Sequence, residues 1–452
     1  MKKSLSLLFI LALSFVIFSC DKDDEDPRWL ESSLYHSVIY EVNIRNYTET
    51  GTFDAFSEHL PRLKDLGVDI LWFMPIHPIS EEKRIGTLGS WYSVADYYAV
   101  NPEYGTAEDF KAMVEAAHDL GFKVILDLVA NHTGWDNPWI TEHKDWYSQD
   151  QSGNIIIPPG TNWNDVADLN YENPDLRLEM IKVMKYWVTE YDIDGYRADY
   201  AGGVPQDFWE DAVAELNLIK PVFMLAENDS DYGLLDQAFL ANYSFEFMNI
   251  ISSIAAGTDD ANSVQMFLNQ NKSRYPAGTF PMIYTSNHDV NAWVGTTDEI
   301  FSESAETMNV LVFTLPGMPL IYSGQEVNLD RRLQFFEKDE IDWTGWEQSP
   351  AYLFYEQLIA LKKNNSALGH DDQSSIEFLF DGNLDTLCFV REVEDNSVIV
   401  IVNLSAQTQT ITLDFEDRAG DYLSYFTNAN VSLETSEEFT LTPWEYLVYI
   451  KT

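Results

Sequence analysis

The chain has 452 residues, of which 45% are hydrophobic and 14% aromatic. A chain of this length and composition can bury a large core, which excludes an intrinsically disordered protein and favours one large domain with a smaller companion. The sequence contains 74 acidic and 27 basic residues, a formal net charge of −47. Such a charge repels phosphate backbones, so we exclude nucleic acid as a partner and expect either a neutral partner or a protein adapted to salt.

The N-terminus has the pattern of an export signal. A basic start is followed by an apolar run over residues 5–18 and then by Cys20. The run 17-IFSC-20 resembles a bacterial lipobox, which implies a signal peptide at 1–20 and lipid attachment at Cys20. Residues 21–34 are then an acidic tether, and the acidic start of that tether resembles the surface-export signal of Bacteroidetes lipoproteins. We therefore expect an exported lipoprotein of the outer membrane, at the cell surface, that meets the membrane only through its anchor.

The middle of the chain alternates short apolar or β-branched runs with amphipathic helical patterns. The eight predicted strands are 38–43, 69–75, 123–131, 193–199, 221–227, 242–247, 282–289 and 318–324. Strand alternating with helix eight times is the pattern of a (β/α)8 barrel, whose active site lies at the C-terminal ends of the strands. We therefore predict an α/β fold with a TIM barrel at 35–370.

Two segments depart from this alternation. The connection at 133–170 is far longer than an ordinary strand-to-helix loop, and we predict a short inserted domain there. Beyond the barrel, apolar and polar residues alternate in runs separated by turn residues. These runs are 376–380, 385–393, 397–405 and 409–415. They predict a C-terminal antiparallel β-sandwich domain at 371–452.

Three carboxylates follow predicted barrel strands: Asp199, Glu227 and Asp289. Alone, such a residue is more often a helix cap or a loop ion pair. Adjacent strands would bring Asp199 and Glu227 near the separation of about 5 to 5.5 Å that suits a retaining glycoside hydrolase. Arg197 lies two residues before Asp199 and points to the same side of the strand, so its charge would keep Asp199 ionised. Glu227 follows an apolar run, where desolvation favours the protonated acid.

Four blocks of sequence resemble the signature regions of the α-amylase family of retaining α-glucoside hydrolases, glycoside hydrolase family 13. They are 125-ILDLVANHT-133, 195-GYRAD-199, 224-MLAEN-228 and 284-YTSNHD-289. The resemblance covers roughly 35–370 and fits the C-terminal β domain as well. It implies that Asp199 is the nucleophile, Glu227 the acid/base, and Asp289 a third carboxylate that holds the sugar hydroxyls.

The resemblance also implies substrate contacts around the sugar that is transferred. His132 and His288 match the histidines that hydrogen-bond this sugar, and Tyr92 matches the tyrosine that stacks beneath it. Arg197 belongs to the same substrate-binding set.

The same comparison of motifs implies a structural calcium site. Asn131 and Asp168 match positions that ligate Ca²⁺ in many family members, and Gly203 sits where a backbone carbonyl joins them. Oxygen ligands of this kind suit Ca²⁺. Related α-glucosidases keep similar residues without the metal, so a bound calcium is one of two alternatives.

The most direct functional interpretation is an endo-acting α-amylase that hydrolyses α-1,4 bonds in starch- or glycogen-like α-glucans. Alternatives are an exo-α-glucosidase, a neopullulanase- or cyclomaltodextrinase-like hydrolase, a transglycosylase, or a non-catalytic glycan-binding lipoprotein that works with other polysaccharide-uptake proteins. The run 199–209 resembles the neopullulanase and cyclomaltodextrinase branch. Tyr200 replaces the usual small or β-branched residue, and Gly202 and Gly203 stand where many α-amylases have Lys-His.

Overall fold

The computed structural model describes residues 32–369, 375–379 and 382–452. The predicted signal peptide at 1–20, the lipidation site Cys20 and most of the tether at 21–34 lie outside these ranges. No helix within the described ranges has both the length and the apolar character that crossing a membrane requires.

Eight parallel strands close into a barrel, and two further strands pair antiparallel beside it. The ten strands are β1 (Ile39–Val42), β2 (Ile70–Phe73), β3 (Lys123–Leu128), β4 (His132–Gly134), β5 (Val166–Asp168), β6 (Gly195–Ala198), β7 (Phe223–Ala226), β8 (Ala241–Tyr243), β9 (Phe280–Ile283) and β10 (Met318–Tyr322). The closed order is β1-β10-β9-β8-β7-β6-β3-β2. Ile39 of β1 pairs with Ile70 on one side and Leu320 on the other, which closes the ring. The predicted TIM barrel is confirmed.

The barrel strands are buried along almost their whole length, and this explains why the sequence shows apolar runs there instead of alternation. Two predicted strands are nonetheless misplaced. The run 242–247 is a strand only as far as Tyr243, because the hydroxyl of Ser244 accepts from the Phe247 N–H and starts a helix. The strand predicted at 282–289 runs instead over Phe280–Ile283, so His288 and Asp289 belong to the connection after it.

Helices cover the outside of the barrel between its strands. The α-helices of the described residues are α1 (Ile44–Tyr47), α2 (Phe53–Ser57), α3 (Leu60–Leu66), α4 (Ala107–Asp119), α5 (Trp139–Glu142), α6 (Pro174–Tyr191), α7 (Gln206–Asn217), α8 (Phe245–Ala255), α9 (Ala261–Arg274), α10 (Thr297–Phe301), α11 (Ala305–Thr314) and α12 (Pro350–Asn364). Two shorter elements border the rim of the barrel, a 3-10 turn at Ala201–Gly203 and a π-helical turn at Val290–Val294.

The inserted segment follows β3 and returns to the rim through its two short strands. His132 of β4 pairs with Asp168 of β5, so the two ends of the insertion lie side by side. The hydroxyl of Ser93 donates to the Asp165 carbonyl at 2.9 Å, which joins the insertion to a neighbouring loop. The insertion therefore forms part of the C-terminal face of the barrel.

The described part of the C-terminal domain contains eight strands, of which the sequence pattern identified four. They are β11 (Ser375–Phe378), β12 (Thr386–Val393), β13 (Asn396–Asn403), β14 (Gln409–Asp414), β15 (Gly420–Ser424), β16 (Ala429–Leu433), β17 (Ser436–Leu441) and β18 (Tyr446–Lys451). Six form one sheet in the order β11-β12-β13-β18-β15-β16, and β14 pairs with β17. Along β13, Val398, Val400 and Val402 join the core of the barrel, while Ile399 and Ile401 join the core under the two-stranded sheet.

Candidate active site

A buried arginine organises the carboxylates at the C-terminal rim. Arg197, on β6, has no exposed side-chain surface. Its Nη1 donates to Asp127 Oδ1 at 2.8 Å and to Asp199 Oδ1 at 3.0 Å. Its Nη2 lies 3.1 Å from Glu227 Oε1, and its Nε donates to the Tyr243 hydroxyl at 3.2 Å. One guanidinium therefore bridges three carboxylates, and these ion pairs offset the cost of burying the charge.

Burial raises the pKa of both predicted catalytic carboxyls. The nearby Arg197 charge lowers both pKa values, but by less than burial raises them. The pKa of Asp199 rises to about 6 and that of Glu227 to about 7. Arg197 does favour the ionised form of Asp199, as we expected from the sequence, but burial outweighs it. Glu227 keeps its proton to higher pH than Asp199 does. This order suits one ionised nucleophile beside one protonated acid.

The backbone after Asp199 turns sharply to face Glu227. The N–H of Tyr200 donates to Glu227 Oε2 at 2.7 Å. Tyr200 adopts a left-handed conformation, with φ of 44° and ψ of 48°, which is unusual for a bulky residue. This conformation could not be predicted from the sequence, because no glycine or asparagine occupies the position.

The two glycines that follow make room for this turn. A Cβ at Gly203 would lie 2.4 Å from Asn131 Oδ1 and 2.5 Å from the ring of Tyr200. A Cβ at Gly202 would lie 2.4 Å from Asn228 Nδ2. The replacement of Lys-His by Gly-Gly therefore has a steric basis, since the Tyr200 ring and two amide side chains fill the space.

His288 lies between three polar groups on the opposite side of the rim. Its Nδ1 is 2.5 Å from Glu41 Oε1, and its Nε2 is 2.8 Å from the Tyr92 hydroxyl and 3.4 Å from Asp289 Oδ2. Burial alone would lower the pKa of His288, but Asp289 and Glu41 outweigh burial and raise it to about 9. His288 is therefore an imidazolium at neutral pH.

Sequence reasoning missed Glu41, which is fully buried in β1. The available signal was an acidic residue in the middle of the apolar run 38–43, where an unpaired charge would be costly. Glu41 also accepts from the backbone N–H of His288 at 3.3 Å, so it contacts both the ring and the main chain of that residue.

His132, unlike His288, carries no charge at neutral pH. Its Nε2 lies 4.0 Å from Asp199 Oδ2, and burial lowers its pKa to about 4. The amide Nδ2 of Asn131 lies 3.3 Å from His132 Nδ1, a nitrogen that accepts in the neutral ring. His132 is therefore neutral, and its Nε2 lies beyond hydrogen-bond distance of the Asp199 carboxylate. The two histidines predicted to contact the sugar offer different donors.

The three predicted calcium ligands lie in one region beside the insertion. Asn131 Oδ1 points at Gly203, and the Asn131 carbonyl accepts from the Leu169 N–H, next to Asp168, at 3.1 Å. Burial raises the pKa of Asp168. In the described part of the chain no three His, Cys, Asp or Glu side chains cluster as a metal site. A carboxylate, a side-chain amide oxygen and a backbone carbonyl are all ligand types that Ca²⁺ binds, and water would have to supply the further ligands.

A cleft of about 500 Å³ opens above the carboxylates, and aromatic rings line it on two sides. On one side are Trp163 and Tyr200. On the other, the Tyr92 ring is nearly parallel to that of Phe335 at 6.3 Å, and Trp293 lies 5.1 Å from Phe335. A separate cavity of about 600 Å³ beside Asp229, Tyr232 and Arg274 contains none of the predicted site residues.

The inserted segment contains four tryptophans, Trp135, Trp139, Trp146 and Trp163, and only Trp163 among them lines the cleft. Trp146 is buried, and Trp139 packs 5.1 Å from both Trp146 and Tyr97. The Trp135 indole N–H donates to the Asn164 carbonyl at 3.0 Å. Three of the four therefore support the structure of the insertion. Spacing along the sequence could not distinguish these roles.

Two family models match the chain: the alpha amylase catalytic domain over residues 39–166 and 160–343, and the maltogenic amylase C-terminal domain over 376–448. Among curated relatives, alpha-amylase MalA of Haloarcula japonica is 26% identical over 407 residues, covering 86% of this chain and 57% of its own length. Alpha-amylase 3 of Dictyoglomus thermophilum is 26% identical over 497 residues and 95% of both chains. The chain therefore spans little more than half of the first relative and nearly all of the second.

Solved structures give the same result. A maltogenic α-amylase, AmyB from Thermotoga neapolitana, is 29% identical, with a TM-score of 0.84 over 93% of this chain and 99% of that one. An α-amylase from Lactobacillus plantarum is also 29% identical, with a TM-score of 0.82 over 93% and 100%. The chain belongs to the α-amylase family of glycoside hydrolases, and its C-terminal domain is of the maltogenic-amylase type.

Proposed function

We propose that the protein is a retaining, endo-acting α-amylase that hydrolyses α-1,4 bonds in starch- or glycogen-like α-glucans. The observation that carries this proposal is the arrangement of Asp199 and Glu227, which contact different nitrogens of one buried guanidinium and differ in the pH at which they ionise. A retaining hydrolase needs one carboxylate of each kind on the two sides of the bond that breaks.

In the first step, an oxygen of ionised Asp199 attacks the anomeric carbon while Glu227 gives its proton to the leaving glycosidic oxygen. A covalent glycosyl-enzyme forms and the leaving sugar departs. In the second step, ionised Glu227 takes a proton from water, the water oxygen attacks the anomeric carbon, and Asp199 is released. Asp289, His132 and His288 hold the hydroxyls of the transferred sugar throughout.

Two observations support action within a glucan chain. Aromatic rings flank the carboxylates on both sides, so sugar units on either side of the broken bond have a surface on which to stack. A second cavity, of about 430 Å³, shares Trp293, Phe335 and Phe336 with the cleft, so the cleft continues at that end. An exo-acting enzyme would close one end of such a groove.

A neopullulanase- or cyclomaltodextrinase-like hydrolase is the second candidate. Neopullulanase 2 of Thermoactinomyces vulgaris is 26% identical over 425 residues, and a cyclomaltodextrinase of Thermoanaerobacter pseudethanolicus is 23% identical over 445 residues. The match of the C-terminal domain to the maltogenic-amylase model also favours this branch.

Product analysis separates these candidates. Starch, pullulan, maltotriose and a cyclodextrin are incubated with the protein, and the products are separated over time. Endo-acting amylase activity predicts early oligosaccharides of mixed length from starch and slow attack on the other three substrates. Preferred attack on pullulan or the cyclodextrin favours the second candidate. Asp199→Asn is the inactive control. If the wild-type protein turns over none of the four substrates, both candidate functions are contradicted.

We also propose that Cys20 carries the lipid that anchors the protein to the outer membrane. The support is the sequence 17-IFSC-20 after an apolar run. In cells that process the full chain, the wild-type protein should partition into detergent and Cys20→Ser into the aqueous phase. Aqueous partitioning of both proteins contradicts the proposal.

A further inference from the structure

We propose that a pocket between α11 and α12, outside the catalytic cleft, binds one glucosyl unit of a maltose or glucan molecule. This α11–α12 pocket has a volume of about 270 Å³ and is bordered by α11, the turn after β10 and the first residues of α12. It shares no lining residue with the cleft. Only the choice of an α-glucosyl ligand rests on the proposed function.

A buried amide supplies a hydrogen-bond donor to this pocket. Asn309 lines the pocket and is 5% exposed. Its Oδ1 accepts from the Thr285 hydroxyl at 2.9 Å and from the Tyr355 hydroxyl at 3.2 Å. No group in the described part of the chain accepts a hydrogen bond from its Nδ2. Because a buried donor needs a partner, Nδ2 is left for a ligand in the pocket.

The orientation of the Asn309 amide is fixed by a directed chain of hydrogen bonds. The backbone N–H of Tyr322 donates to Gln325 Oε1 at 2.8 Å, which leaves Gln325 Nε2 as a donor. This Nε2 donates to the Thr285 hydroxyl at 3.0 Å and to the Tyr355 hydroxyl at 3.3 Å. Both hydroxyls therefore use their own protons on Asn309 Oδ1. A reversed amide would place a donor where two donors already point.

An acceptor and an aromatic face complete the pocket. The Oε2 of Glu306 accepts from the Tyr446 hydroxyl at 2.7 Å, and Oε1 remains available to accept from a ligand. The half-buried ring of Phe354 also lines the pocket. It packs 6.1 Å from the Tyr446 ring and 5.8 Å from the Phe426 ring, so the C-terminal domain holds it in place. Few polar groups beside an apolar ring are typical of sites for small hydroxylated ligands.

The charge and size of the pocket narrow the class of ligand. Glu306 is the only charged side chain among the described residues that line it. A phosphate would meet this negative charge with no lysine or arginine to offset it, and a divalent cation would find a single carboxylate. A neutral molecule with several hydroxyl groups fits better. Ligand pockets begin at about 300 Å³, so the volume suits one sugar ring and not a chain of them.

Maltose binding to an inactive protein tests this inference. Equilibrium dialysis of labelled maltose against Asp199→Asn counts the molecules bound per chain without turnover. Ala351 lines the pocket, so adding Ala351→Met should fill it and lower the count by one molecule per chain. Asn309→Asp keeps an oxygen for the two hydroxyls but loses the amide donor. In the same inactive background, we expect it to weaken binding at this site about 5-fold.

Two controls make the comparison specific. Ala214→Met adds the same side chain at an exposed position of α7 and should leave the count unaltered. Inorganic phosphate should not displace maltose from the pocket, and displacement would contradict a site for a neutral ligand.

An equal count with and without Ala351→Met overturns the inference. Asn309→Asp adds no bulk, so unchanged affinity in this variant overturns it independently. A wild-type protein that hydrolyses no α-glucan contradicts the proposed function instead, and the maltose count still decides whether the pocket binds a sugar.

Discussion

Arg197 holds a full positive charge without exposed surface, and three carboxylates neutralise it. An exposed ion pair contributes little to stability, whereas a buried charge that loses its partners is strongly destabilising. Arg197 therefore has two effects on the carboxyls. Its charge limits the rise in pKa that burial causes, and its contacts fix the positions of the carboxylates. The sequence indicated the effect of the Arg197 charge, because Arg197 and Asp199 are two residues apart on one strand. The links to Asp127 and Glu227 depend on pairing between strands.

The pH dependence of kcat/KM should follow the two catalytic carboxyls. Activity requires Asp199 ionised and Glu227 protonated, so kcat/KM rises as Asp199 loses its proton and falls as Glu227 loses its own. Because burial raises both pKa values, to about 6 and about 7, the optimum should lie between them and above that of two ordinary carboxyls. A pH series at low substrate concentration measures this. Activity that stays constant well above the pKa of Glu227 would contradict the assignment.

Glu41→Gln should lower the pKa of His288, because it removes a negative charge that stabilises the imidazolium. Because the folded pKa of His288 is raised to about 9, its protonation stabilises the fold fully below the unfolded pKa of about 6.5, and this contribution is lost as the pH rises through 9. We expect the free energy of unfolding of the wild-type protein to fall across this window, and that of the variant to fall less.

Urea unfolding at a series of pH values measures this difference. The same variant should lower kcat/KM at neutral pH, because a neutral His288 offers the sugar one donor fewer. The matched control is Glu326→Gln, which removes another fully buried carboxylate, one that pairs with Arg62 away from His288. Equal pH dependence of stability in the wild-type protein and Glu41→Gln would contradict the role of Glu41.

At the scale of elements, the sequence predicted most barrel strands because consecutive apolar residues are typical of strands buried on both faces. It failed where a local side-chain contact decided the conformation. Ser244 caps a helix inside the predicted strand 242–247, and the left-handed turn at Tyr200 depends on space left by Gly202 and Gly203. Neither contact produces a periodic pattern.

Calcium should stabilise the inserted segment. Asp168 and the oxygens of Asn131 and Gly203 would supply the donors, and a cation there would offset the burial that raises the pKa of Asp168. At a Ca²⁺ concentration 100 times the Kd, we expect about 2.7 kcal/mol of added stability. Thermal unfolding with CaCl2, with MgCl2 and with a chelator measures this. Asp168→Asn should lose the response, and identical Tm values in all three solutions would contradict a calcium site.

At the scale of the whole molecule, the C-terminal domain shares its core with the barrel. Alternate residues of β13 face the barrel, and the buried Arg391 donates from Nη1 to the carbonyl of Thr314 in α11 at 2.8 Å. The sequence predicted this domain from alternation in its first strands. The contact with the barrel could not be predicted from this pattern, because both faces of the central strand β13 are apolar and buried.

Removal of the C-terminal domain should therefore destabilise the barrel. A chain that ends at residue 370 leaves the apolar surface under Val398 and Val400 exposed to water, and we expect aggregation or early unfolding. Calorimetry of the complete protein should show one transition for both parts. A truncated chain that stays monomeric, with the Tm and kcat of the full protein, would show that the two cores are independent.

The single guanidinium beneath Asp199, Asp127 and Glu227 has a consequence for any attempt to redesign the enzyme. A proton taken up by one carboxyl releases part of the Arg197 charge to the others, so the pKa of each carboxyl depends on the protonation of the other two. A substitution chosen to move the alkaline limb of the activity profile will therefore move the acid limb as well. The working pH range can be displaced more easily than it can be widened.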